Sequence, residues 1–229
     1  MAMNYTFDFV PVLASWDRLL VGAWLTVKLS TLAMVIGFAL GTLCAVGRLS
    51  TVAWLRTLVG AYVETIRNTP LLVQVFIVYF GLASMGFKLS AEVAALITLV
   101  INIGAYSTEI MRAGILSIHP GQIEAAECLG MSKPTIFFHV VLLPAVERVY
   151  PALSSQFVLL MLASSITSQI SVEELTAAAN LVQSETFRSF EVYGVIALLY
   201  FALSMLFRAG FWLIGQLAFT RRRKLGTAL

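Results

Sequence analysis

Three groups of residues in this chain have types and spacings that can do chemistry, and in each the chemistry is recognition. The first is the stretch "EAAECLGMSKPTIFFHVVLLP", residues 124 to 144. Glu124 and Glu127 stand three apart and so share one side of a helix. Pro120 suits the first turn of that helix and Gly130 its C-terminal cap, while Ala125 and Ala126 leave the backbone approachable. The second group is two acid–base pairs at i, i+3: Glu64 with Arg67, and Glu109 with Arg112. The third is a set of uncharged donors and acceptors inside apolar runs: Gln74, Asn102, Tyr106, Ser164, Ser165, Thr167 and Gln169. Bond-making chemistry has no counterpart. There is no G-x-x-x-x-G-K-[ST] phosphate loop, no Ser/His/acid set with recognisable spacing and no metal-ligand spacing. Catalytic residues, metals and cofactors are therefore not expected in this chain. Cys44 and Cys128 stand far apart and read as free thiols.

The elements that position these groups are membrane spans. Of 229 residues, 59% are hydrophobic and only 12% charged. That is about half the charge of a soluble domain, so the solvent for most of the chain is lipid. The net charge of +3 is spread along the chain, which excludes a nucleic-acid surface built on a basic face. The N-terminus lacks a basic region before an apolar run and is a poor cleavable signal. Five spans are expected: Lys28 to Arg48, with a start reaching back to Leu20; about 57–84; about 91–112; a fourth between Arg148 and Glu173; and about 192–220, interrupted by Arg208. A sixth, from residues 1–17, is disfavoured by Asp8 and Asp17. Arg48, Arg56, Arg112, Lys133, Arg148, Arg221, Arg222, Arg223 and Lys224 fall on one side, against Arg18, Lys88 and Arg188 on the other. The basic side marks the cytoplasm. The N-terminus is then outside and the C-terminus cytoplasmic. Residues 113–147 form a long cytoplasmic loop, with Pro144 at the entry to the fourth span. Residues 171–190 are external and suit a short surface helix. Gly37 and Gly41 form a GxxxG pair, a local helix-packing site.

Two readings of the helix near Glu124 stand side by side: a docking element for a partner, or an ordinary loop helix lying on the bilayer. "EAAECLG" followed by "VVLLP" closely resembles the EAA loop of importer-type ABC-transporter permease subunits. The match is at Glu124, Ala125, Ala126 and Gly130, while the step from Gly130 to Pro144 is one residue longer than the usual pattern, the extra residue falling among 138–143. Three further stretches, "YVETIRNTPLLVQVFIVYFGL", "AYSTEIMRAGILSIHPGQIEAA" and "FRSFEVYGVIALLYFALS", resemble signatures of polar amino-acid permeases of the histidine/glutamine type. The resemblance covers nearly the whole chain from about residue 20. It implies an all-α membrane protein with the type I ABC importer permease fold, a single permease domain over 1–229 with its membrane core at about 18–220.

The same resemblance implies partners: a second permease subunit, identical or homologous; two cytoplasmic ATPase subunits carrying ATP and Mg; and an external amino-acid-binding protein. It implies a multi-pass protein of the bacterial inner membrane, surrounded by lipid and binding no nucleic acid. The coupling helix would be gripped by the ATPase through Glu124, Ala125, Ala126, Glu127 and Gly130. Charges at membrane depth face protein or water. Glu64 and Arg67 can pair and brace the bundle, or lie near the path or gate, with Pro70 bending the helix beside them. Glu109 and Arg112 would brace span three against the coupling loop, with direct substrate contact as the alternative. Where related permeases carry a Lys–acid–Ser/Thr–Ser run, this chain has Leu162, Ala163, Ser164 and Ser165. Both charges are missing, so either the substrate is not cationic or the partner subunit holds the site. An ion-coupled carrier and a non-transporting sensor subunit are the alternatives.

Overall fold

The computed structural model describes residues 5–219. Arg221, Arg222, Arg223 and Lys224, counted above on the basic side, lie outside the described residues. Those described form nine helices and no strand: α1 Val10–Ala14, α2 Trp16–Arg48, α3 Ala53–Arg67, α4 Leu71–Ser84, α5 Ala91–Leu116, α6 Pro120–Cys128, α7 Lys133–Ile170, α8 Leu175–Thr186 and α9 Ser189–Ala218. Four of them, α2, α5, α7 and α9, are long and apolar enough to cross a membrane. Helices α3 and α4 together supply the fifth crossing, bent by 110° at a short break.

Several helices exceed their expected bounds. Helix α2 begins at Trp16, twelve residues before Lys28, whose ammonium pairs with Glu92 at 3.5 Å. Helix α7 starts at Lys133 on an N-cap position filled by Ser132, so Pro144 lies inside a continuous 38-residue helix and does not mark its entry. Proline lacks the N–H that would close the preceding turn, and its ring crowds the carbonyl four residues back. The turn before Pro144 is widened instead: Ile136–Leu142 is π-helical. A π segment absorbs an additional residue without breaking the rod, and it covers most of the stretch where the longer Gly130–Pro144 spacing falls. Helix α9 runs through Arg208 without interruption.

Contacts along the rods set the topology. Lys28 meets Glu92, Gly37 faces Ile103, Gly41 faces Ser107 and Arg48 approaches Glu109, so α2 and α5 run side by side in the same direction. A Cβ on Gly41 would lie 2.5 Å from Ser107 Cβ and 2.8 Å from the Gly104 carbonyl, so glycine there is what allows the close approach. Helix α7 runs the opposite way: Gly114 packs on Ala145 and Val149, and Leu99 clusters with Leu160 and Met161. Helix α9 returns parallel to α2, since Val192 clusters with Leu19 while Phe207 and Phe211 cluster with Met34. The start of α2 and the end of α9 therefore lie at opposite ends of the bundle. At one end Arg48, Arg56, Glu109, Arg112 and Arg148 gather with α6. At the other, α8 buries Leu175, Ala179 and Val182 against α2 and α9.

Candidate functional site

Helix α6 is built as its residues dictate. His119 is its N-cap, with Nδ1 accepting from the Gly121 N–H at 3.1 Å, and Pro120 is its first residue. Gly130 takes φ +74°, the left-handed conformation that ends a helix and favours glycine. Its N–H donates to the Glu127 carbonyl at 2.9 Å, and the Met131 N–H donates to Ala126 at 3.2 Å. One face of α6 is a foot. Ala126 is buried and clusters with Ile118, Ile136, Val141 and Ala145, holding α6 on the first turns of α7. The other face is open: Glu124, Ala125, Glu127 and Leu129 are exposed, Leu129 by 81%. The Arg148 guanidinium donates to the Ser117 carbonyl and pins the chain just before α6. The element is thus a short, rigid knob with two carboxylates and a bare leucine turned outward. Of the five residues expected to couple, four lie on the open surface and Ala126 belongs to the foot.

The second feature is the break between α3 and α4 at Asn68, Thr69 and Pro70. The expected bend is a full interruption, because Pro70 cannot donate to the Ile66 carbonyl. Gln74 answers the freed groups. Its amide nitrogen donates to the Ile66 carbonyl at 2.7 Å, the Thr69 carbonyl at 3.0 Å and the Thr69 hydroxyl at 3.0 Å. Its oxygen accepts from Asn102 at 3.0 Å, and both side chains are buried. Glu64, Arg67, Asn68 and Thr69 are exposed along the same break. The ion pair expected between Glu64 and Arg67 does not form: Glu64 accepts from the Asn68 amide at 3.1 Å, and the Arg67 guanidinium lies 5.4 Å over the Tyr106 ring. The Asn68 amide and the Tyr106 face take the two groups in place of each other.

Beyond α4, the last seven residues of α7, Ser164–Ile170, tighten to a 3₁₀-helix and pack Ile166 and Ile170 against Val75. Ser164 donates to the Met161 carbonyl, Ser165 to Leu162 and Thr167 to Ser164, all within 2.7–2.8 Å. Ser164 and Thr167 are fully buried, so in this conformation only Ser165 and Gln169 of that group reach open space. Glu109 and Arg112 do pair, at 2.7 and 3.0 Å. Their outward link runs to Arg48 of α2 at 4.0 Å, where a brace to the coupling loop was expected; Arg148 makes the loop contact instead.

Two buried carboxylates escaped the sequence reading. Glu174 caps α8, accepting from the Ala177 N–H at 3.0 Å and from Tyr200 at 2.7 Å. Burial pushes its carboxyl above the ordinary value of 4.5. Glu191, at the start of α9, accepts from the Tyr5 hydroxyl and the Asp8 N–H and approaches Arg188 at 3.7 Å. Glu174 lies in the stretch that reads as polar and external, and Glu191 one residue beyond it. The local signal was an acid one residue before each apolar run, and nothing in the order of residues points to Tyr200 or Tyr5 as partners.

Comparison with known proteins places the whole arrangement. Residues 37–216 match the family described as "Binding-protein-dependent transport system inner membrane component". The octopine transport system permease protein OccM of Rhizobium meliloti is 34% identical over 95% of this chain and 93% of its own length. The probable glutamine ABC transporter permease protein GlnM of Bacillus subtilis is 38% identical over 80% of this chain and 85% of its own. A crystal structure of an amino acid ABC transporter with histidines superposes with a TM-score of 0.84 at 36% identity, covering 93% of this chain and 99% of that one. An inward-facing methionine ABC transporter, MetNI, shares the fold at a TM-score of 0.72 and 20% identity, over 88% of this chain and 96% of that one. With five membrane crossings, the type I importer permease fold and a protruding α6 knob, the chain belongs to the binding-protein-dependent transport system inner membrane components, as a permease subunit of an ABC transporter.

Proposed function

We infer that this permease carries a polar amino acid, or a close analogue such as an opine, inward across the membrane, driven by ATP and Mg bound on two partner ATPase subunits. The observation that carries the reading is α6: a capped helix whose Ala126 foot is buried while Glu124, Ala125 and Glu127 face outward at the basic end of the bundle. The relatives named for octopine and glutamine transport support the substrate class. The α6 end faces the cytoplasm and α8 faces outward, where a binding protein delivers the substrate.

Two permease subunits, the same or homologous, enclose the path. Closure of the ATPases on ATP draws the two α6 knobs together, and α7, continuous from Lys133 to Ile170, transmits the displacement to the helix break. The bundle switches between inward- and outward-facing states whose populations the ATPase biases. The exposed polar groups at the break, Arg67, Asn68 and Thr69, face the path, as do Ser165 and Gln169 near the end of α7. Gln74 and Asn102 hold the break in shape. With Leu162 and Ala163 in place of a charged pair, a cationic side chain finds no counter-charge at these two positions, so either the substrate is not cationic or the partner subunit holds it.

Glu124→Arg tests the reading. In the assembled transporter in proteoliposomes, it should leave insertion and basal ATP hydrolysis intact while abolishing the rise in ATPase activity on substrate-loaded binding protein, and with it uptake. Full uptake in that variant would contradict a coupling role for α6. The parallel test for the substrate is Ser165→Ala with Gln169→Ala, which should raise the substrate concentration for half-maximal uptake.

A further inference from the structure

The last span carries a charge that the fold does not answer. Arg208 lies ten residues before the end of α9, and among the described residues it has no ion-pair or hydrogen-bond partner. Its side chain borders a cavity of about 250 Å³ between α7 and α9. Tyr150, Ser154 and Ser155 form one wall, and Phe211 and Trp212 the other. The Tyr150 hydroxyl donates to the Phe211 carbonyl at 2.6 Å, a cross-helix bond that holds the two walls in place. Ser154 donates to the Tyr150 carbonyl at 2.8 Å. Both hydroxyl protons are thus committed to shaping the cavity. The Ser155 hydroxyl is exposed and remains available to a ligand.

Depth and surroundings name the ligand. Arg148, which grips the Ser117 carbonyl before α6, marks the end of the bundle. At the rise of an α-helix the cavity lies between about 3 and 15 Å inward from that level. A guanidinium there is costly unless it meets an anion or reaches the headgroups. The half-exposed Trp212 and the Tyr150 ring are the residue types that line the headgroup boundary. A zwitterionic headgroup would set its own ammonium against the cation, whereas an anionic phosphodiester neutralises it.

The geometry points to an anionic phospholipid site, in which Arg208 and Ser155 hold the lipid phosphate and Phe211 and Trp212 pack on the glycerol and upper acyl chains. Basic pockets between spanning helices bind anionic headgroups in this way. The lipid comes from the leaflet at the α6 end, so it sits against α7, the helix that carries motion from α6 into the bundle.

The test uses the assembled transporter in nanodiscs of phosphatidylcholine with and without phosphatidylglycerol, with native mass spectrometry counting retained lipid. The wild type should retain phosphatidylglycerol in preference to phosphatidylcholine. Arg208→Gln should lower that retention about fivefold, the worth of one Arg–anionic lipid attraction, with subunit composition unchanged; Arg208→Lys should retain most of it. Equal retention in wild type and Arg208→Gln overturns the proposal. So does loss of the second permease subunit from Arg208→Gln in either lipid, which would make a protein carboxylate the partner. If inorganic phosphate in pure phosphatidylcholine discs raises the melting temperature as phosphatidylglycerol does, the ligand is a free anion and the lipid assignment falls. Should Arg208→Gln not be recovered from membranes, Ser155→Leu keeps the charge but fills the cavity, and undiminished phosphatidylglycerol retention there overturns the proposal equally.

Discussion

Replacing Gln74 by leucine probes the helix break most directly. The wild-type side chain makes four polar contacts: to the Ile66 carbonyl at 2.7 Å, to the Thr69 carbonyl and hydroxyl at 3.0 Å each, and from the Asn102 amide at 3.0 Å. Leucine keeps the volume and removes all four. Thr69 is exposed, so water reaches its carbonyl and hydroxyl, and each loss there is the net worth of a hydrogen bond, about 1 kcal/mol or less. Asn102 is only 8% exposed, and its stranded amide costs about 1–3 kcal/mol. With a further ~1 kcal/mol or less for the half-buried Ile66 carbonyl, the sum is about 2–6 kcal/mol. At roughly 2–4 °C per kcal/mol for a chain of this size, the melting temperature should fall by about 4–24 °C. The assay is thermal unfolding of the purified complex in detergent. A double-mutant cycle with Asn102→Leu then isolates the amide pair, which in membranes is worth about 0.6 and at most about 1.7 kcal/mol. The part of the loss that comes from the Ile66 and Thr69 acceptors of the break should therefore persist in the Asn102→Leu background. If Gln74→Leu melts with the wild type, or if Asn102→Leu abolishes its entire effect, Gln74 does not clamp the break.

The remaining expectations each rest on one contact. Gly41→Ala puts a methyl 2.5 Å from Ser107 Cβ and 2.8 Å from the Gly104 carbonyl; backbone cannot yield cheaply, so the variant should lose about 1–3 kcal/mol of unfolding stability, and an unchanged melting curve would refute the close α2–α5 approach. Glu174 has a raised carboxyl value, so its neutral form favours the fold: that contribution is complete below the ordinary value of 4.5 and is lost as pH rises through the folded value. The melting temperature of wild type relative to Glu174→Gln should accordingly fall with rising pH, and a constant difference would show that burial does not bias the carboxyl. Cys128 is exposed on α6 and Cys44 half-buried in α2. An impermeant maleimide should label Cys128 rapidly in inside-out vesicles and not in right-side-out ones; the reverse pattern would invert the orientation of the whole chain.

Much of the α6 element was legible because its determinants are local. Pro120, Gly130 and the two glutamates act within one or two turns, and helix starts and stops depend on neighbours in sequence. Ala126 shows the limit: its type allowed either an open contact or a buried foot, and only the apolar cluster with Ile136 and Val141 assigns it to the foot. Glu64 and Arg67 satisfied the spacing rule for a pair and still went elsewhere, since Tyr106 of α5 offered a nearer site for the guanidinium. Pro70 announced a disturbance, but its 110° size depends on Gln74 and Asn102 capping what it frees.

The residue order by itself determined the count of crossings, the position of the knob and the membership in a transporter family. Lipid permits only long apolar helices and their caps, and both are written in consecutive residues. The tertiary structure alone decided which faces meet: α2 alongside α5 in parallel, Glu174 under Tyr200, and Arg208 left facing an open cavity. Spanning helices are apolar on nearly every face, so periodicity carries no information about partners. That choice belongs to glycines and hydrogen bonds between residues dozens to well over a hundred positions apart.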